Sequence, residues 1–189
     1  MGNHSLLVIS GASGVGKSTV LHRIFAALPQ LQFSVSATTR PPRPGERDGV
    51  DYAFLTREEF HKRIAKNEFV EYDEHDGNLY GTPWKELDKA DAAPLLLDIE
   101  PMGAFSVKER RPDAVLIFVT APMEEIARRL SERGDTPPEQ IAMRLRRAEW
   151  EIAQAPKYDY IVTNDQVDTC AEEIISIIAR EAEISIGGN

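Results

Sequence analysis

The chain has a single cysteine, Cys170, in 189 residues. One cysteine excludes an intrachain disulfide and a cysteine-based zinc cluster, and its place in a late amphipathic segment reads as a packed thiol rather than a nucleophile. No stretch approaches the roughly 20 consecutive apolar residues that span a bilayer. The amino-terminal residues lack the cationic segment of a secretory signal. Their apolar run, 6–10, leads straight into a glycine-rich loop and is read as a structural strand. Gly2 does not complete a myristoylation pattern, because Leu6 stands where serine or threonine is needed. Positive charge is in deficit as well: the formal net charge is −9, which argues against a general nucleic-acid binder with its basic footprint. Internal repeats, low-complexity tracts and long linkers are also missing. These absences point to a cytoplasmic protein with neither membrane nor nucleic acid as partner, a monomer or homodimer, long enough for one full core.

Against that background the run Gly11-Ala12-Ser13-Gly14-Val15-Gly16-Lys17-Ser18 stands out. It fits G-x-x-x-x-G-K-[ST], follows a strand-like apolar run and precedes a helix-like segment, which is the context that gives the pattern a mechanism. Glycines let the backbone curl so that N–H groups point at a phosphate, and the following helix adds its positive end. Gly11 to Thr19 are thus expected to bind ATP, with Lys17 at the β- and γ-phosphates and Ser18 on Mg²⁺. Strand-like runs at 6–10, 33–36, 95–99, 115–119 and 160–163 alternate with helix-like segments at 19–28, 101–110, 122–132, 138–154 and 167–183. That alternation predicts an α/β fold, a parallel sheet covered by helices on both faces.

Two regions break the pattern. Residues 37 to about 90 are rich in polar, aromatic and turn residues, with a short helix expected at 57–66 and hairpin pieces near 68–73 and 78–82. An insertion of this kind reads as a substrate-binding unit carried on a rigid scaffold. Residues 132–138 join two arginine-rich helices and read as a lid. The apolar strand 95–99 ends at Asp98, placed either to hold Mg²⁺ near Ser18 or to cap the next helix. Arginines cluster locally at Arg40, Arg43 and Arg47, and again from Arg128 to Arg147, as suits small, highly charged anions; Arg128, Arg146 and Arg147 read equally well as solvated surface.

The segments Ser36-Ala37-Thr38-Thr39-Arg40-Pro41-Pro42-Arg43-Pro44-Gly45-Glu46, Gly49-Val50-Asp51-Tyr52, Glu68-Phe69-Val70-Glu71-Tyr72 and Gly77-Asn78-Leu79-Tyr80-Gly81-Thr82 resemble the guanylate kinase signature. The lid from Arg129-Leu130 to Arg133-Gly134 and the tail Tyr158 to Asn164 are similar in position, so the resemblance covers nearly the whole chain. It implies a P-loop fold in three parts: a core (about 1–36, 92–128 and 155–189), a GMP-binding insertion (about 37–91) and a lid (about 129–154). It implies ATP-dependent phosphorylation of GMP with Mg²⁺ held by Ser18 and Asp98, and hinge motions of the insertion and the lid. Glu71 takes the position that accepts the N1–H and N2–H₂ fork of guanine, with Ser36 and Thr82 beside the base. Arg40, Arg43, Tyr52 and Tyr80 match the clamp on the acceptor phosphate. Lys17, Arg40, Arg129, Arg133 and Arg144 match the catalytic cations, and Asn164 a residue near the donor adenine.

One departure bears on substrate choice. The family usually carries aspartate where this chain has Glu100, followed by an apolar-Gln-Gly turn that here reads Pro101-Met102-Gly103. The extra methylene moves that carboxylate by roughly 1.5 Å, so Glu100 is an expected GMP-site residue with an altered reach. Two other readings therefore stay open: a kinase of the same fold acting on another phosphorylated acceptor such as a ribose bisphosphate, and a non-catalytic binding module.

Overall fold

Leu6 to Gly11 are all buried, the mark of a strand covered on both faces. In the computed structural model, which describes residues 5–75, 77–132 and 137–186, this strand β1 (Leu6–Gly11) lies at the centre of a five-stranded parallel sheet. Its neighbours are β7 (Leu95–Asp98) and β8 (Val115–Thr120), and the outer strands are β2 (Gln32–Phe33) and β9 (Tyr160–Thr163), in the order β2-β7-β1-β8-β9. Sequence order reverses on either side of β1, so the carboxyl ends of β1 and β7 flank the crevice where ligands bind in open α/β sheets.

Helices α1 (Lys17–Ala27) and α6 (Val167–Glu181) cover one face, with Ile24, Leu28, Ile174 and Ile178 buried beneath them. Helix α3 (Pro101–Arg110) packs on the other face over Leu6, Val8, Leu97 and Phe118. Helices α4 (Met123–Glu132) and α5 (Pro138–Ile152) follow β8 and bracket residues 133–136. The lid turn and Arg133 lie outside the described residues. No helix among the described residues is long and apolar enough to cross a membrane.

The region between β2 and β7 forms a second, mixed sheet, β4-β3-β6-β5, from β3 (Ala37–Thr38), β4 (Ala53–Phe54), β5 (Phe69–His75) and β6 (Asn78–Pro83). It packs with α2 (Arg57–Ala65) around its own small core of Ala37, Phe60, Phe69 and Leu79. Thr56 caps α2 by accepting the Glu59 N–H at 3.1 Å. A one-residue bulge between Phe69 and Glu71 shifts the β5–β6 register. Phe69 thereby enters this small core while Val70 joins the main one.

One expectation is corrected. The strand expected at 33–36 is only Gln32–Phe33, because Val35 leaves the ladder to donate its N–H to the buried Glu86 carboxylate at 2.7 Å. The two-residue strands β3 and β4 and a 3₁₀ segment, Trp84–Asp91, were not legible, being too short to carry a period.

Candidate active site

Gly14 and Gly16 take φ of +81° and +89°, the left-handed turn that curls the loop ahead of α1. Gly11 is needed for a different reason: a Cβ there would lie 2.9 Å from the Val119 carbonyl oxygen. The loop Gly11–Ser18 lines a cavity of about 490 Å³ together with Arg144 and Arg147 of α5. Not every amide faces it. Ala12 donates to Val119 O at 3.2 Å, Val15 to Ala12 O at 3.0 Å, and Ser13 to Glu151 Oε2 at 2.7 Å. The open donors lie at the start of α1, which has no side-chain cap and so presents orphan N–H groups and the positive end of its dipole. Lys17 and the exposed Ser18 occupy that first turn, with Thr19 exposed just beyond.

Lys17 forms an ion pair with Asp98 at the end of β7, 2.5 Å away. Burial pulls the ammonium down, but the nearby Asp98, Glu100 and Glu151 carboxylates outweigh it and its pKa is raised. The group is therefore fully charged at neutral pH.

Across the crevice a second pocket of about 200 Å³ opens between the two sheets, lined by Ser36, Tyr52, Glu71, Tyr80, Asp98 and Glu100, and by Lys17 itself. The paired strands β5 and β6 supply two of these, Glu71 and Tyr80. Glu71 faces Thr82 across the strands, and Thr82 Oγ1 donates to Glu71 Oε1 at 2.9 Å and lies 3.4 Å from Ser36 Oγ. Burial pushes the Glu71 carboxyl up to about 7, against the opposing pull of the Thr82 hydrogen bond. Gly103 on α3 sits against this side chain, so closely that a Cβ there would overlap Glu71 Cγ and lie 2.9 Å from its Cβ.

At the outer end, Arg40 is held by Glu46 through two bonds of 3.0 and 2.8 Å and lies over the Tyr52 ring, 5.4 Å from its centroid. Tyr52 and Tyr80 meet edge to face at 6.2 Å. Arg43 is exposed nearby.

The expected residues thus divide in two. Lys17, Ser36, Tyr52, Glu71, Tyr80, Asp98 and Glu100 converge on one pocket, and Arg144 reaches the loop cavity. Asn164 and Arg129 instead lie behind the loop. Asn164, expected beside the donor base, is fully buried because its N–H extends the β8–β9 ladder to Thr120 O; its side chain donates to Val15 O at 2.8 Å. Arg129 donates to Val15 O and Asn164 O at 2.8 and 3.0 Å. Both brace the loop from below.

The surface reading holds for Arg128, which pairs with Glu125 and Glu132 on its own helix. It fails for Arg147, which reaches Asp73, Glu100 and Glu151. Glu151 itself was missed, although it stands one helical turn after the buried Ala148 on α5, and an acid following an apolar position at that spacing is a signal worth following.

Comparison with known proteins identifies the family. Residues 3–181 match the model of the guanylate kinase family. The chain is 50% identical over 182 residues to a guanylate kinase of Streptococcus agalactiae, covering 93% of this chain and 86% of that protein. It is 46% identical over 178 residues to one from Rubrobacter xylanophilus, covering 93% of each. The crystal structure of guanylate kinase from Anaplasma phagocytophilum superposes with a TM-score of 0.71 at 36% identity, covering 94% of this chain and 85% of that one. A gluconokinase from Sinorhizobium meliloti, at 16% identity and a TM-score of 0.50, shares the fold alone.

Proposed function

The chain belongs to the guanylate kinase family, and from that premise we propose how its residues divide the transfer of a phosphoryl group from ATP to GMP. The observation that carries the scheme is that Lys17 and Glu100 border both cavities, so donor and acceptor sites meet at one ammonium and one carboxylate.

On the donor side the first-turn amides of α1 and Lys17 take the β- and γ-phosphates, and Arg144 approaches from α5. On the acceptor side Glu71 receives the N1–H and N2–H₂ of guanine, with Ser36 and Thr82 completing a hydrogen-bonded chain. Adenine presents an acceptor where guanine presents N1–H, so the same carboxylate rejects it. Arg40, Arg43, Tyr52 and Tyr80 hold the GMP phosphate. That phosphate has a second pKa near 6, so its oxygen is already an anionic nucleophile and no protein base is required. The remaining obstacle is repulsion between two polyanions, which the converging cations relieve while holding the groups in line.

The Ser18 hydroxyl and the Asp98 carboxylate are hard oxygen donors that fit Mg²⁺. Two protein oxygens suffice for an ion held otherwise by phosphates and water. When bound, Mg²⁺ neutralises charge on the β- and γ-oxygens. Residues 37–91 form the acceptor-binding unit and 129–154 the lid, and the enzyme works in the cytoplasm.

The reaction is tested by ADP formation from Mg·ATP with GMP, AMP, CMP, UMP and ribose 1,5-bisphosphate supplied separately. Turnover confined to GMP is expected, and turnover with ribose bisphosphate in place of GMP would refute the assignment. Gly103→Ala adds a further check on the base site. Its Cβ displaces Glu71, and KM for GMP is expected to rise on the order of tenfold or more, with KM for ATP unchanged. An unchanged KM for GMP would show that Gly103 does not set the position of Glu71.

A further inference from the structure

Glu151 is a buried acid that the scheme above leaves without a role. It is 1% exposed, and a carboxylate out of water is costly unless it is paired and hydrogen-bonded. Here both oxygens are engaged: Oε2 accepts the Ser13 N–H at 2.7 Å and Oε1 accepts the Arg147 Nε–H at 3.0 Å. Arg147 continues the path, its Nη2 lying 3.4 Å from Glu100 on the carboxyl side of β7 and 3.4 Å from Asp73 on β5. A chain of charge-assisted contacts therefore runs from the phosphate loop through α5 to the carboxylate shared by the two pockets.

We propose that Glu151 is a positioning residue for phosphoryl transfer: with Arg147 it sets α5 in register with the phosphate loop at Ser13 and with Glu100 between the donor and acceptor pockets. The consequence falls on Arg144, seven residues before Glu151 and so on the same face of the helix. The placement of α5 on the loop decides where the Arg144 guanidinium stands relative to the transferred group. A displacement of about 1 Å there costs on the order of a hundredfold in rate. Glu151 lies at the edge of the loop cavity with its oxygens committed to Ser13 and Arg147, and it acts through them and Glu100. The inference rests on the proposed transfer of phosphoryl from ATP to GMP.

The test is steady-state kinetics on the full chain with Mg·ATP and GMP, with thermal melting of each variant. Glu151→Gln keeps an oxygen for the Ser13 N–H and puts an amide NH₂ where a carboxyl oxygen accepts from Arg147. It is expected to lower kcat about tenfold or more with both KM values within about threefold. Arg147→Met, at a half-exposed position, is expected to give the same loss without depending on the buried site. The double variant is expected to be no slower than the slower single variant, because the two residues act as one unit. The proposal is overturned if kcat stays within twofold in either variant, if the losses multiply in the double variant, or if the loss appears only in KM for ATP. Should Glu151→Gln fail to fold, Arg147→Met alone decides. A parent enzyme that makes no GDP would overturn the reaction itself, whereas an active parent with unaffected variants overturns only the role of Glu151.

Discussion

Lys17→Ala is expected to lower kcat for GDP formation by on the order of 10³ or more while leaving GMP affinity within a few fold. Removing one preorganised donor to developing charge typically costs 10²–10³, and a full cation at a transferring phosphoryl group is worth 10³–10⁵. Lys17 suits that role because it is held, not free. Its ammonium is locked to Asp98 at 2.5 Å and sits at the first turn of α1, where the helix dipole adds to its field. The surrounding carboxylates raise its pKa despite burial, so it carries its charge throughout the neutral range. In the proposed scheme GMP is gripped chiefly by Glu71 at the base and Arg40 at the phosphate, while Lys17 only borders that pocket. Single-turnover kinetics and calorimetric titration with GMP separate the two effects. Equal losses in rate and in GMP affinity would contradict the division into donor and acceptor sites.

Glu71→Gln is the second large effect, and it falls on specificity. The amide keeps one acceptor but turns an NH₂ toward the guanine donors, leaving buried groups unpaired. Sites built on such groups discriminate by on the order of 10⁴, so kcat/KM for GMP is expected to fall by about 10³ or more, and the preference for GMP over AMP by a similar factor. A pH profile gives an independent readout. Burial raises the Glu71 carboxyl to about 7, with Glu100 and Asp73 pushing the same way. Below that pH the free enzyme holds a protonated acid, a donor facing donors. KM for GMP is therefore expected to rise as pH falls through about 7, while kcat at saturating GMP stays flat. The profile of kcat/KM reports groups of the free enzyme and substrate. The GMP phosphate itself titrates near 6, and that limb persists in Glu71→Gln while the one near 7 disappears. Persistence of the upper limb in the variant would assign it to another group.

The two substitutions act on residues that differ in how they became visible. Lys17 is legible because the phosphate loop is local chemistry: eight consecutive residues carry their own turn, their own helix start and their own cation. Glu71 is legible only by resemblance. As an acid in a short polar strand it has no local signature, and its surroundings come from Thr82 across the sheet, Ser36 just before β3 and Gly103 on a helix of the main sheet. Arg147 shows the limit from the other side. Its helical position was equally consistent with solvent, and the carboxylates it meets lie on α5, on β5 and beyond β7.

The alternating α/β architecture, the phosphate loop and the polar, turn-rich insertion are written in local sequence, because periodicity, glycine placement and motif spacing act over one turn or one strand. Only the tertiary structure decided that Asn164 and Arg129 brace the loop from below, that Ala12, Ser13 and Val15 donate their amides inward, and that Glu151 closes on Ser13 across 138 residues of chain. Those outcomes depend on which buried polar groups find partners when the sheet and α5 pack together. No local spacing encodes that choice; it is made by the cost of leaving a buried donor or carboxylate unpaired.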